Sequence, residues 1–236
     1  MSTNPSRERI LATIRSGLVE NRAWLEGEAG AASRAAIPYV LPRAADLADQ
    51  FADELRKLEG RVYRAADDEE ALEAISHILD AKAASQVIAW DLDQIELPGL
   101  DVLLAQRGVQ LTDTQVLAQA DHKERLQTLE TAQVCISGVA AGIAESGSLA
   151  IVHGPGRSRL ASLLAPFHIA IVREGQLVRG LGEAFDRIRA QYGADPFAET
   201  SNITLITGPS RTADIEMTLT LGIHGPKEIH VVLIDG

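Results

Sequence analysis

The feature of this sequence that most limits its possible folds is an alternation of short apolar runs with segments of helical periodicity. Runs typical of buried strands occupy residues 62–63, 86–90, 109–112, 149–152, 166–172, 203–206 and 229–234. Helical segments begin near residues 44, 67, 98, 122, 160 and 181. Strands that alternate with helices favour a parallel sheet, because each crossover lays a helix on one of its faces. We therefore predict an α/β fold, with a Rossmann-like, mostly parallel sheet flanked by helices.

An N-terminal helical appendage precedes the predicted sheet. Asn4-Pro5 is a good helix start, and one helical face follows it, formed by Ile10, Leu11, Ile14 and Leu18. Residues 27–36 are rich in Gly, Ala and Ser, and Pro38 and Pro42 follow them. This composition is typical of a connection. We predict a helix and linker over residues 1–43 and an α/β domain over residues 44–236.

Charge and cysteine content exclude several classes of protein. The formal net charge is -11 over 236 residues, which argues against binding to nucleic acids or anionic membranes. The single cysteine, Cys135, lies in an apolar run, so no internal disulfide and no four-cysteine cluster can form. We expect no metal and no cofactor in this chain. No apolar run reaches the length of a membrane span and no signal peptide is recognised, so we expect a cytoplasmic protein. Walker and G-x-G-x-x-G fingerprints are absent from the sequence.

The C-terminal stretch carries the first candidate site. An apolar run at Ile203–Ile206 is followed by the turn 208–212, a helical segment through Leu219 and Leu221, and a second apolar run, which together predict a βαβ unit. Ligands bind at the carboxyl ends of parallel strands. Backbone N–H groups of the turn, the helix N-terminus and Arg211 would suit an anion there. The alternative is ordinary helix capping by Ser210 or Thr212.

The second candidate site is the segment Glu145-Ser146-Gly147-Ser148, just before the strand at 149–152. A carboxylate beside a glycine at the mouth of a strand can be presented to a cleft. The alternative is a tight turn whose glutamate faces solvent. Two further carboxylates, Asp91 and Asp93, follow the strand that ends at Trp90 and are interpreted as a solvated loop.

We predict that these two segments meet in one cleft. His168 and His230 lie inside strand runs and are interpreted as core residues, whereas His224 lies in a loop and is placed at the rim of the cleft. Arg211 is the predicted anion anchor; the alternative makes it a structural clamp paired with Asp214 or Glu216. The candidate catalytic residues are Glu145, Asp214 and His224, and the candidate anion-binding residues are Ser146, Gly147, Ser148, Gly208, Ser210, Arg211, Thr212 and Gly225.

Three motifs in this order resemble the LUD-domain family, and within it the lactate-utilization protein C group. They are AESGS at residues 144–148, GPSRTADIE at 208–216 and the G-x-H-G-P of residues 222–226. The resemblance is dense over residues 137–235 and weaker back to about residue 44. The family usually has Thr where Ser146 and Ser148 stand here, so the hydroxyl groups are kept.

The resemblance implies a fold similar to the NagB/RpiA/CoA-transferase group and a role in oxidising L-lactate to pyruvate together with iron–sulfur partner proteins. Three hypotheses follow. The chain is a non-metal component of that system, binding a small carboxylate or organising its partners. Alternatively, it is a self-sufficient CoA-transferase-like enzyme in which Glu145 forms an acyl anhydride. The third possibility is a module that binds a small anion such as a carboxylate or phosphate.

Overall fold

A computed structural model describes residues 5–24, 26, 39, 45–112, 121–198, 200–213 and 219–235. The chain divides into two compact units, residues 1–38 and 39–236. In the first unit, helix α1 spans Pro5–Glu20 and exposes Ile10, Ile14 and Leu18. The domain boundary between residues 43 and 44 remains a prediction, because residues 40–44 lie outside the described ranges.

The central layer of the second unit is a six-stranded sheet in which every pair of neighbours is parallel, in the order β1-β12-β7-β4-β2-β3. Its strands are β1 (Arg61–Ala65), β2 (Gln86–Ala89), β3 (Gln110–Thr112), β4 (Val134–Ser137), β7 (Phe167–Arg173) and β12 (Glu228–Ile234). The strands β2 and β4 are buried along their whole length, as expected for apolar runs covered on both faces. The predicted α/β fold with a mostly parallel sheet is confirmed.

Helices flank the sheet layers of this unit, and two of them begin at aspartate side-chain caps. The helices are α2 (Leu47–Lys57), α3 (Asp68–Ala81), α4 (Leu100–Gln106), α5 (His122–Glu130), α6 (Leu160–Leu163) and α7 (Leu181–Tyr192). The Asp46 side chain accepts hydrogen bonds from the backbone N–H groups of Ala48 and Asp49 at the start of α2. Asp67 accepts from the Glu70 N–H at 2.9 Å, which confirms the predicted start of α3.

A second, four-stranded sheet has the order β8-β5-β6-β9. Its strands are β5 (Ala141–Ile143), β6 (Ser148–His153), β8 (Leu177–Val178) and β9 (Asn202–Ile206). The middle strand β6 is buried on both faces: Leu149 and Ile151 join the main core, while Ala150 and Val152 pack in a smaller core with residues of α7. The second sheet therefore lies between the main core and α7.

The predicted C-terminal βαβ unit is wrong in two respects. Strand β9 pairs antiparallel with β6 in the second sheet, and only β12 belongs to the parallel sheet. The segment predicted as a helix forms a hairpin in which β10 (Arg211–Ala213) pairs antiparallel with β11 (Leu219–Leu221). The sequence of residues 218–221 alternates Thr-Leu-Thr-Leu, and this period of two is that of a strand.

Buried side chains agree with several sequence interpretations. Cys135, His168 and His230 are at most 1% exposed, as predicted for core residues. Burial raises the pKa of the Cys135 thiol to about 11. Burial also lowers the pKa of His168 to about 3 and that of His230 to about 4, so both imidazoles are neutral near pH 7.

Candidate functional site

The turn Glu145–Ser148 joins β5 to β6 and rests on helix α2. Gly147 has a φ of 61°, in the left-handed region that favours glycine. A Cβ atom at this position would lie 2.7 Å from the Leu55 Cα and 2.8 Å from the Glu54 carbonyl carbon. Both the backbone conformation and the contact with α2 therefore require glycine here.

A chain of hydroxyl groups links this turn to the other predicted segment. The Ser146 and Ser148 hydroxyls are hydrogen-bonded at 2.8 Å, and Ser148 is bonded to the Thr207 hydroxyl at 2.7 Å. Antiparallel pairing of β6 with β9 explains the contact, because it sets the start of one strand beside the end of the other. Gly208 follows Thr207, and its own Cβ position lies 3.0 Å from the Leu58 Cβ. The two segments thus both contact the C-terminal half of α2.

Arg211 binds the end of α2. Its guanidinium donates to the Leu58 carbonyl at 2.9 Å and pairs with the Glu59 carboxylate at 2.9 Å. A cation at the last carbonyls of a helix is stabilising. These are the contacts of a structural clamp, made with Glu59. The predicted clamp partners Asp214 and Glu216 lie outside the described residues. The role of Arg211 as anion anchor stays a prediction.

The remaining predicted residues lie around the hairpin. The Ser210 N–H donates to the Pro226 carbonyl at 2.8 Å, and a Cβ at Gly225 would lie 3.4 Å from the Ser210 Cβ, so these two segments are adjacent. His224 is exposed in the same loop. Of Thr212 the structure describes only the backbone, in β10. The catalytic or binding roles of these residues stay predictions.

Glu145 faces the start of α7. Its N–H donates to the Arg179 carbonyl at 3.0 Å. A Cβ added at Gly180 would lie 2.7 Å from the Glu145 carboxylate and 2.8 Å from the Tyr39 ring. Tyr39 donates to the Glu183 carboxylate at 2.6 Å, and its ring lies 3.7 Å from the Arg179 guanidinium carbon. The Glu145 carboxylate is therefore half-buried beside an aromatic ring and a helix start.

A separate cleft of about 150 Å³ lies at the carboxyl edge of the parallel sheet. Its walls include Trp90, Gln94, Gly138, Arg157, Arg173 and Tyr192. Trp90 directly follows β2, Gly138 directly follows β4, and Arg173 ends β7. The cleft is thus built from the ends of three parallel strands together with a turn and the end of α7.

The cleft opens where the strand order reverses. From β2 the chain proceeds through α4 to β3 on one side, whereas from β4 it proceeds to β7 on the other side. Adjacent strands whose connections leave in opposite directions form a crevice, and ligands of open α/β sheets bind there. Gly138 keeps this crevice open, because a Cβ at that position would lie 3.3 Å from the Trp90 ring.

Arg157 is held in the cleft by the tight turn 154–157. Gly154 and Arg157 exchange two backbone hydrogen bonds, and the Gly156 carbonyl accepts from the Asp91 N–H at 2.8 Å, which ties the turn to the end of β2. The Arg157 side chain donates to the Val152 carbonyl and to the Gln94 amide oxygen, both at 3.1 Å. Its guanidinium carbon lies 4.9 Å from the centre of the Tyr192 ring. These three contacts fix the guanidinium group.

The two arginines of the cleft differ in their charge partners. Arg173 pairs with the Asp68 carboxylate at 2.6 Å and donates to the Glu96 carbonyl. Arg157 forms no ion pair with any carboxylate in the described part of the chain, and its hydrogen bonds go to uncharged oxygen atoms. Asp93 and Glu96 line the same cleft, but neither carboxylate forms an ion pair with Arg157.

Two aromatic residues complete the wall. Trp90 is 4% exposed, and among the described residues its indole N–H has no hydrogen-bond acceptor. Burial raises the pKa of the Tyr192 phenol, although the neighbouring Arg157 opposes this shift. A buried donor without an acceptor is rare in proteins and calls for an explanation such as a ligand or water.

None of these cleft residues was predicted as a site residue. The signals were present in the two aspartates after Trp90 and in the Gly-Pro-Gly-Arg turn at residues 154–157. Each motif alone is typical of a surface loop, and only the strand order brings them together.

Comparison with known proteins places the chain in a family. The LUD domain family model matches residues 48–234. The chain belongs to the LUD domain family. Lactate utilization protein C of Shouchella clausii is 34% identical over 69% of this LUD protein and 68% of that protein. The protein of the same name from Macrococcus caseolyticus is 33% identical over 69% of this chain and 67% of its own length.

A solved structure supports the same fold. A DUF162 family protein from Deinococcus radiodurans superposes with a TM-score of 0.60 and 24% identity, covering 82% of this LUD chain and 99% of its own. Helices long and apolar enough to cross a membrane do not occur among the described residues. The same residues contain no group of three or more His, Cys, Asp or Glu side chains placed to hold a metal ion.

Proposed function

We propose that this LUD protein is a non-metal component of a cytoplasmic lactate-utilization system and supports the oxidation of L-lactate to pyruvate. The observation that carries the proposal is the similarity, over about two thirds of their length, to relatives named Lactate utilization protein C. The match of the family model to residues 48–234 adds support over most of the α/β unit.

Electron transfer in this system is assigned to iron–sulfur partner proteins. The chain has one cysteine, and a cluster held by four thiolates needs four. Cys135 is itself fully buried, and burial raises its pKa to about 11, so the thiolate form that ligates metals is disfavoured. The proposed role of this chain is therefore to bind the organic acid or to organise the partners that oxidise it.

Deletion of the gene in its host tests this function. We expect the deletion strain to lose growth on L-lactate as the only carbon source, while growth on glucose stays normal. Extracts of the strain should lose L-lactate-dependent dye reduction, and addition of the purified protein should restore it. Unchanged growth and unchanged lactate oxidation in extracts would refute the proposal.

A further inference from the structure

We propose that the cleft between the ends of β2 and β4 binds a small organic monocarboxylate, with Arg157 as the anchor of the carboxylate group. The ligand class, a small monocarboxylate, is inferred from the geometry and charge of the cleft. The choice of L-lactate and pyruvate as ligands to test rests on the proposed function.

The charge of Arg157 is the first argument. Its Nε and one terminal nitrogen are bound to the Val152 carbonyl and the Gln94 amide, so the guanidinium plane is fixed before a ligand arrives. The other terminal nitrogen, Nη2, forms no hydrogen bond within the described residues. An arginine that is held in place and lacks a carboxylate partner is suited to bind a carboxylate from outside.

The size of the cleft limits the ligand. A cavity of about 150 Å³ is large enough for a molecule of about six heavy atoms, since an engineered protein cavity of that size holds benzene. Drug-sized ligands and cofactors need roughly 300–1,000 Å³. The volume therefore favours a three-carbon acid over a nucleotide or coenzyme A.

The other polar groups favour a single negative charge. Asp93 and Glu96 lie at the exposed rim of the same cleft, and their carboxylates would repel a dianion such as phosphate more strongly than a monoanion. The Trp90 ring and Val139 supply an apolar wall for a short alkyl group. Tyr192 also lines the cleft, with its ring centre 4.9 Å from the Arg157 guanidinium carbon, and its hydroxyl can donate to a hydroxyl or keto oxygen of the ligand.

The chain offers a direct probe of this cleft. It contains two tryptophans, Trp24 in the first unit and Trp90 in the cleft wall. The substitution Trp24→Phe in the full-length protein leaves Trp90 as the only tryptophan, so its fluorescence reports on the cleft. We expect L-lactate or pyruvate to change this fluorescence in a saturable manner, and inorganic phosphate at the same concentration to act at least about tenfold more weakly.

Variants of Arg157 and of the nearby Arg159 test the anchor. Arg157→Gln should weaken binding of the acid at least about tenfold, since a charge-assisted hydrogen bond to a carboxylate is lost. Arg159→Gln is the matched control: Arg159 is exposed and does not line the cleft, so this variant should bind as the parent protein does. Calorimetric titration gives the dissociation constants, and circular dichroism melting shows whether each variant is folded.

Several outcomes would overturn the inference. One is that Arg157→Gln binds the acid as tightly as the parent protein. Another is that Arg157→Gln and Arg159→Gln lose binding equally. A third is that the parent protein binds phosphate as tightly as the acids. Absence of any saturable signal with either acid in the Trp24→Phe protein would overturn it even if Arg157→Gln failed to fold. Binding that depends on Arg157 in a protein whose deletion leaves growth on lactate unchanged would support the cleft and refute the proposed function. Loss of growth on lactate in the deletion strain, together with no binding of either acid, would support the proposed function and refute the cleft as the binding site.

Discussion

The contact between Gly147 and helix α2 predicts a large loss of stability for Gly147→Ala. The φ of 61° places an alanine in the left-handed region. Its Cβ would also meet the backbone of Leu55 and Glu54 at 2.7–2.8 Å or less. Because these are backbone atoms, no change of side-chain rotamer relieves the overlap, and the turn 145–148 must move away from α2.

Gly108 allows the cost of the left-handed backbone conformation to be separated from the cost of the overlap with α2. Its φ of 65° is almost the same, but a Cβ there would meet no atom within 4 Å. Gly108→Ala therefore measures the conformational cost alone, about 1–2 kcal/mol. Overpacking of a well-packed site adds about 1–3 kcal/mol. We expect Gly147→Ala to lower the free energy of unfolding by about 2–5 kcal/mol.

Urea denaturation followed by circular dichroism measures both values on the full-length protein. Gly175→Ala serves as a second control, because that position is exposed and a Cβ there would meet no atom within 4 Å. It should change stability by less than about 1 kcal/mol. If Gly147→Ala cost no more than Gly108→Ala, the proposed packing of the turn against α2 would be wrong.

Three further predictions concern single side chains. Burial lowers the pKa of His168 to about 3, so below pH 6.5 the unfolded chain takes up a proton that the folded protein excludes. This one group should lower stability by up to about 1.4 kcal/mol per pH unit down to about pH 3, and His230, whose pKa burial lowers to about 4, adds to the slope. His168→Gln should therefore reduce the slope by the contribution of one histidine in urea titrations from pH 8 to pH 4.5. Arg211→Ala should lower the free energy of unfolding by about 1 kcal/mol. Glu59→Gln should lower it by less, because the hydrogen bond from Arg211 to the Leu58 carbonyl remains. An Arg211→Ala protein that has parental stability but no longer restores L-lactate-dependent dye reduction would instead indicate that Arg211 anchors an anion. Incubation with acyl-CoA and hydroxylamine should leave Glu145 unmodified, because its carboxylate is half-buried against Gly180 and Tyr39. A hydroxamate found on Glu145 by mass spectrometry would favour the hypothesis of a CoA-transferase-like enzyme.

Among the described strands of the central sheet, local sequence patterns predicted all but β4. The run at residues 86–90 became the buried strand β2, and Asp67 caps α3 as expected. Burial of Cys135 followed from its position in an apolar run, and burial of His168 and His230 followed from their positions in predicted strands. These features depend on residues that are neighbours in the chain, where periodicity and capping are informative.

Pairing between distant strands was not predictable in this way. The run at 203–206 has the composition of a buried strand, but its partner is β6 in a second sheet, and one face of β9 remains partly exposed. The predicted helix through Leu219 and Leu221 was wrong because apolar content alone fits a helix as well as a strand, whereas the alternation of Thr and Leu has the period of a strand. Secondary structure here follows from cross-strand pairing, which a local pattern does not contain.

The cleft depends on the order of strands in the sheet. Trp90, Gly138 and Arg157 are far apart in sequence, and they meet because β2 and β4 are neighbours whose connections leave in opposite directions. The predicted site residues lie instead in turns framed by Gly and Pro. For Gly147 and Gly208 the structure shows that this framing serves close packing on α2.

The position of β12 has a consequence for synthesis of the protein. It is the last of the described strands along the chain, yet in the central sheet it lies between β1 and β7. Strand β1 pairs with no other described strand, so residues 61–65 wait for residues 228–234 to leave the ribosome before their ladder can form. Until then one edge of β7 is also open, and open edges recruit strands from other chains. The growing polypeptide therefore presents unpaired edges of β1 and β7 until β12 emerges, and pairing of β12 joins segments that are distant in sequence.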